Sequence, residues 1–90
     1  MAQVMLIEIV GFSEDIGCFV NGTEILTADP DLGESRYQVI SVAQQLSVAL
    51  DVEVQRERYA PKDACWEWDD VTADLITRGR MTIKAARADG

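Results

Sequence analysis

Ile16-Gly17-Cys18-Phe19-Val20-Asn21-Gly22-Thr23-Glu24-Ile25-Leu26-Thr27 decides the fold of this chain. Asn21-Gly22 is a strong short hairpin signal, because both residues tolerate the positive φ that a two-residue type I′ turn requires. The flanking segments, residues 16–20 and 23–27, are rich in β-branched and apolar side chains and read as two antiparallel strands.

Upstream, residues 3–10 read as another strand. Val4, Leu6 and Val10 alternate with Met5, Ile7 and Ile9. Both faces are therefore largely apolar, which marks a central strand. Downstream, Asp29-Pro30-Asp31-Leu32-Gly33 breaks the sheet. Ser35 is a good helix N-cap, with Asp31 as a second candidate. From Ser35 to Leu50 the apolar residues Val39, Val42, Ala43, Leu46, Ala49 and Leu50 recur at helical spacing. Gln38, Ser41, Gln45 and Ser47 give that helix an uncharged polar surface.

Residues 51–59 turn into a strand, with Val52, Val54, Arg56 and Arg58 on one face and Glu53, Gln55, Glu57 and Tyr59 on the other. Neither face is fully apolar, so this is an edge or half-exposed strand whose charges discourage edge pairing. Pro61 ends it. Asp69 or Asp70 caps a short helix running to about Arg78, with Val71, Leu75 and Ile76 as its apolar stripe and Gly79 as the residue that terminates it. Met81 to Lys84 reads as a last strand, and residues 86–90 as a loose tail. The expected order is β-β-β-α-β-α-β. This predicts one α+β domain over residues 1–90, a two-layer sandwich with a mainly antiparallel sheet of four to five strands and both helices on one face.

The chain has 90 residues, 48% of them hydrophobic, and a formal charge of −8. A chain of this size buries only about two-thirds of its unfolded surface. The charge is unevenly distributed. The first 35 residues hold seven acids (Glu8, Glu14, Asp15, Glu24, Asp29, Asp31 and Glu34) and no base, whereas the rest holds nine acids and eight bases. Such asymmetry projects a negative field that steers a basic partner. It argues against direct nucleic-acid binding, since phosphate affinity comes from Lys and Arg. The most basic stretch, from Arg78 to Arg87, reads as a solvated face. No apolar run is long enough to span a membrane. The start Met1-Ala2-Gln3 lacks the positive charge of a secretory signal, and a cytoplasmic location is expected.

Little in the sequence points to catalysis. Cys18 and Cys65 are 47 positions apart, form no CxxC pair and have no histidine to assist them. Reduced thiols are expected, with Cys18 packed between Ile16 and Val20 as a core residue. Asp29, Asp31 and Glu34 suggest a calcium loop, but Pro30 stiffens it and Ile40 stands where the twelfth-position ligand belongs. Asp69, Asp70 and Asp74 are explained by helix capping. The scattered glycines form no phosphate-binding pattern. No cofactor or metal is expected.

The best local interaction candidate is Trp66-Glu67-Trp68-Asp69-Asp70, because tryptophan is enriched at binding hot spots and the acids would meet Arg or Lys. Its structural alternative is that the tryptophans cover the open end of a small core. Glu14, Asp15, Glu24, Asp29, Asp31 and Glu34 form the candidate acidic rim. Tyr37, Trp66, Glu67, Asp69 and Asp70 are the candidate anchors.

In size, in the charge pattern from Glu14 to Glu34 and in its lack of a catalytic constellation, the chain is similar in general character to small phage or mobile-element inhibitors of host defence, anti-CRISPR proteins among them. The likeness covers no motif and assigns no residue. Taken together, the expectation is a non-enzymatic inhibitor or regulator whose acidic rim mimics nucleic acid on a basic partner protein. Reversing Asp29, Asp31 and Glu34 to Lys should then weaken binding and leave the fold intact. The alternative is a structural or assembly subunit, a homodimer for instance, docking through the edge strand at residues 52–59 or the polar helix face. A small enzyme ranks third.

Overall fold

Asn21 and Gly22 adopt φ of 51° and 81°, as the hairpin requires. They join β2 (Ile16–Val20) to β3 (Thr23–Ala28). The computed structural model describes residues 2–82. Before the hairpin lies β1 (Val4–Ile9); after it come a 3₁₀ turn (Pro30–Leu32), α1 (Arg36–Leu50), β4 (Val54–Tyr59) and α2 (Trp68–Thr77). The class is α+β, and the element order through α2 is the expected one. The expected last strand at residues 81–84 falls partly outside the described residues; Met81 and Thr82 are not in a strand. The expected loose tail, residues 86–90, lies wholly outside them.

The four strands form one mixed sheet in the order β3-β2-β1-β4. β1 pairs antiparallel with β2 and parallel with β4. β4 is an edge strand, as its charged faces predict. The Tyr59 carbonyl accepts from the Val10 amide at 2.9 Å. By the alternation of a parallel ladder, Gln55 and Glu57 also face β1, and Val54, Arg56 and Arg58 turn their backbone polar groups outward. On the opposite edge, Phe19 faces Glu24 and Cys18 faces Leu26. Ile25 is thus the extra residue of a bulge, a device that twists an edge away from further pairing.

The two helices lie on opposite faces of the sheet. Val4, Leu6, Ile16 and Cys18 pack with Val39 and Ala43 of α1. Met5, Ile7, Ile9 and Phe19 pack with Val71 and Leu75 of α2. This corrects the expected two layers to three. The reason is in β1 itself: four consecutive apolar residues leave both faces in need of cover, and one helix layer protects only one. Each fully buried Leu, Ile or Phe in these cores contributes about 1.5–3 kcal/mol.

The helix ends follow ordinary capping chemistry. The Ser35 hydroxyl accepts from the Gln38 amide, and Asp51, in the left-handed region at φ 57°, closes α1. The cap of α2 is Glu67 rather than Asp69 or Asp70. Asp70 acts from the third helical position, where its carboxylate accepts the Glu67 amide at 3.0 Å. Tyr59 ties β4 to α2 through a 2.5 Å hydrogen bond from its hydroxyl to Asp74.

At the start of β1, the Asn21 side-chain oxygen accepts the Gln3 amide at 2.9 Å, and the Asn21 amide donates to the Gln3 carbonyl at the same distance. Near its other end, Glu8 pairs with Arg36 at 2.9 Å. No helix among the described residues is long and apolar enough to cross a membrane.

Candidate functional site at the acidic end of the sheet

Strand direction decides which loops meet. β1, β3 and β4 all run toward one end of the sheet, and β2 starts there. Loops 10–15, 29–35 and 60–67 therefore gather at that end, and both helices begin there. These loops, with the adjoining strand ends and first helical turns, hold Glu8, Glu14, Asp15, Asp29, Asp31, Glu34, Asp63, Glu67, Asp69 and Asp70 against Arg36, Arg58 and Lys62. Ten acids and three bases leave this end at −7 of the chain's −8.

The candidate rim is brought together here except for Glu24. That residue lies on β3 opposite Phe19, beside the hairpin at the far end of the sheet. The remaining rim residues do two different jobs. Asp29 and Glu34 shape their own loop: Asp29 accepts the Asp31 amide at 2.9 Å, and Glu34 accepts the Asp29 amide at 2.7 Å. By contrast, the carboxylates of Glu14 and Asp31, and that of the anchor candidate Asp69, take part in no hydrogen bond or ion pair among the described residues. The ion pairs among those residues are Arg36–Glu8, Arg78–Asp74 and Arg80–Glu57, so the loop acids have no cation paired with them there. Asp15 registers the crowding. Its carboxyl is pushed above the usual aspartate value, first by burial and then by the charges of Asp29 and Asp31.

Three adjoining clefts open at this end. One, on the α1 side, is lined in part by Glu8, Phe12, Glu14, Asp31, Arg36 and Arg58. Its neighbour on the α2 side is lined by Phe12, Ser13, Asp15, Asp29, Ala64, Trp66, Glu67, Trp68 and Asp69. A third lies beyond Trp66 and contains Lys62.

Both tryptophans are half-buried. Trp68 packs on Phe19 with ring centres 5.4 Å apart, and Trp66 stands edge-on to Trp68 at 5.2 Å. Gly17 makes room for this arrangement; a Cβ there would lie 3.1 Å from Cη2 of Trp68. The pair closes the α2-side core and presents its remaining surface to the clefts. Tyr37, in the first turn of α1, is 83% exposed.

Two apolar residues join the site that were not among the candidates. Phe12 is 53% exposed and Leu32 76% exposed, each at a loop tip among acids. The signal for them was present in the sequence: a large apolar side chain inside a segment assigned as loop has no core to enter.

Cys18 is buried under α1, where burial pushes its thiol further above neutrality, and Cys65 is exposed and unpaired with it. Among the described residues, no group of three His, Cys, Asp or Glu side chains is arranged to hold a metal ion. The chain was compared with protein-family models, curated proteins and solved structures, and none matches.

Proposed function

We propose that this protein is a non-enzymatic inhibitor or regulator. It docks its acidic end on the basic surface of a nucleic-acid-handling protein and competes there with nucleic acid. The observation that carries the reading is the joining, at one end, of carboxylates without paired cations among the described residues to the exposed side chains of Phe12, Leu32 and Tyr37. Charge alone gives steering and a salt-sensitive encounter. Apolar and aromatic anchors within the charged field give the short-range, water-excluding contact that a lasting complex needs. The general resemblance to small anti-defence proteins fits the same reading.

The test is capture from a nuclease-treated cell lysate, eluted in rising salt and competed with DNA or RNA. A charge-reversed variant serves as the control. Reversing Asp29, Asp31 and Glu34 is a poor choice, because Asp29 and Glu34 hold the loop together. Glu14→Lys, Asp31→Lys and Asp69→Lys change the same field without removing a hydrogen bond among the described residues. The proposal expects a nucleic-acid-binding partner that wild type retains, that nucleic acid displaces, and that the triple variant loses. A partner retained equally by the variant would refute it.

The assembly alternative draws on the edge position of β4. Symmetric antiparallel pairing of two β4 copies, however, opposes residues of equal parity. Registers centred on residue 56, 57 or 58 then set Arg56 on itself or Arg58, Glu57 on itself, or Arg58 on itself. Like charges directly opposed are destabilising. The β4 edge therefore suits a different partner strand better than a second copy of its own.

A further inference from the structure

We infer that the cleft between Phe12 and Trp66 is a receptor for a single arginine side chain of the partner protein. This rests on the docking role proposed for the acidic end and names what enters it.

Two independent features meet in this cleft. The first is its aromatic lining. Phe12 is 53% exposed on a loop that turns at Gly11, whose φ is 100°. Trp66, which lines the same cleft, is held edge-on to Trp68, and Trp68 packs on Phe19. The indoles are thus placed before any ligand arrives, and indole is the best aromatic partner for a cation. The second feature is the rim, where Asp15, Asp29 and Asp69 contribute acid groups to the same cleft. The Asp15 carboxyl is raised chiefly by burial and secondarily by the charges of Asp29 and Asp31, and a cation entering there would offset that second contribution.

The bases among the described residues are elsewhere. Arg36 and Arg58 line the neighbouring cleft, and Lys62 lines the one beyond Trp66; among the described residues, no Lys or Arg lines this cleft. The geometry favours arginine over lysine. A planar guanidinium stacks on an aromatic ring while its edge donates to carboxylates, whereas an ammonium is a compact and strongly hydrated point charge.

The experiment is titration of the isotope-labelled full chain with acetyl-Gly-Gly-Arg-Gly-Gly amide, followed by NMR at the Trp66 and Trp68 indole N–H groups. Matched peptides carry lysine, or citrulline, which keeps the arginine shape without its charge. The expected result is a saturable shift of the Trp66 indole at millimolar arginine peptide, a weaker response to lysine and none to citrulline. Phe12→Ala and Asp69→Asn, both changes at solvent-facing side chains, should each weaken the arginine response about threefold or more. Equal response to citrulline, no indole shift, or indifference to Phe12→Ala would each overturn the receptor. If wild type nevertheless captures a salt-labile, nucleic-acid-competed partner from lysate, the receptor fails and the docking role stands. If that capture also fails, both fall.

Discussion

Gly17→Ala is the sharpest test of how the acidic end is attached to the core. A Cβ at this position would lie 2.8 Å from Cε1 of Phe19 and 3.1 Å from both Cγ2 of Thr27 and Cη2 of Trp68. Carbon pairs sit best at about 3.5–4.0 Å, so the tightest contact is short by about 0.7 Å or more. Phe19 must therefore shift, and because it is 2% exposed and packed on Trp68, it can do so only by displacing Trp68 as well. Overpacking of this kind costs about 1–3 kcal/mol. The gain from replacing a strand glycine, roughly 0.5–1 kcal/mol, offsets part of it. The net expectation is a loss of about 1–2 kcal/mol. Urea denaturation followed by tryptophan emission should show a midpoint lowered by roughly 1 M, given a slope near 1–2 kcal/mol/M. Native emission should also change, because Trp68 and its neighbour Trp66 shift together. Adding Phe19→Leu removes the clashing ring atom, so Gly17→Ala should cost less in that background. If Gly17→Ala were neutral or stabilising, with unchanged emission, the packing of Trp68 against β2 would be wrong.

Three further outcomes follow from named contacts. Asp15 binds its proton more tightly in the folded protein than an ordinary aspartate of pKa 3.8, so its contribution to stability is present below that value and is lost as pH rises through its folded value. Asp15→Asn should accordingly raise the melting temperature at neutral pH more than at pH near 3, and an equal effect at both would count against crowding at this end. Tyr59→Phe removes the hydroxyl bond to Asp74 and should cost about 1 kcal/mol in denaturant unfolding; the same bond holds the Tyr59 phenol protonated above the usual tyrosine range, so Asp74→Asn should let the phenol ionise at lower pH in an absorbance titration. A thiol reagent should modify Cys65 in the native protein and reach Cys18 only on unfolding, and rapid labelling of both would show that α1 does not cover Cys18.

Much of the fold was legible because its signals are local. Asn21-Gly22 fixed a turn, Ser35 began a helix, and the charges of residues 54–59 marked an edge. The placement of α2 was not legible from α2 itself, whose stripe Val71 and Leu75 fits either face of a sheet. The deciding information lay in β1, where Met5, Ile7 and Ile9 demanded cover as strongly as Val4 and Leu6. The candidate site was legible as charge and not as geometry. Seven acids without a base could be counted from sequence, but Glu24 was separated from the others only by knowing which way β3 runs. Asp29 and Glu34 likewise looked like free carboxylates, since a side chain that folds back to hold its own loop has the same composition as one facing solvent.

The two hydrogen bonds between Asn21 and Gln3 bear on how the chain avoids misalignment. In most half-buried strands a slip by one residue is forbidden because it would turn polar side chains inward. β1 lacks that protection over residues 4–7, where either set of side chains is apolar enough to fill either core. Alignment must come from its ends. Asn21 grips one end through both a backbone and a side-chain group, and Glu8 answers Arg36 at the other. Asn21 thus acts as a clamp as well as a turn residue. Gly at that position would keep the turn and lose half the clamp, leaving a hairpin that still forms and a first strand with less to tell it where to stop.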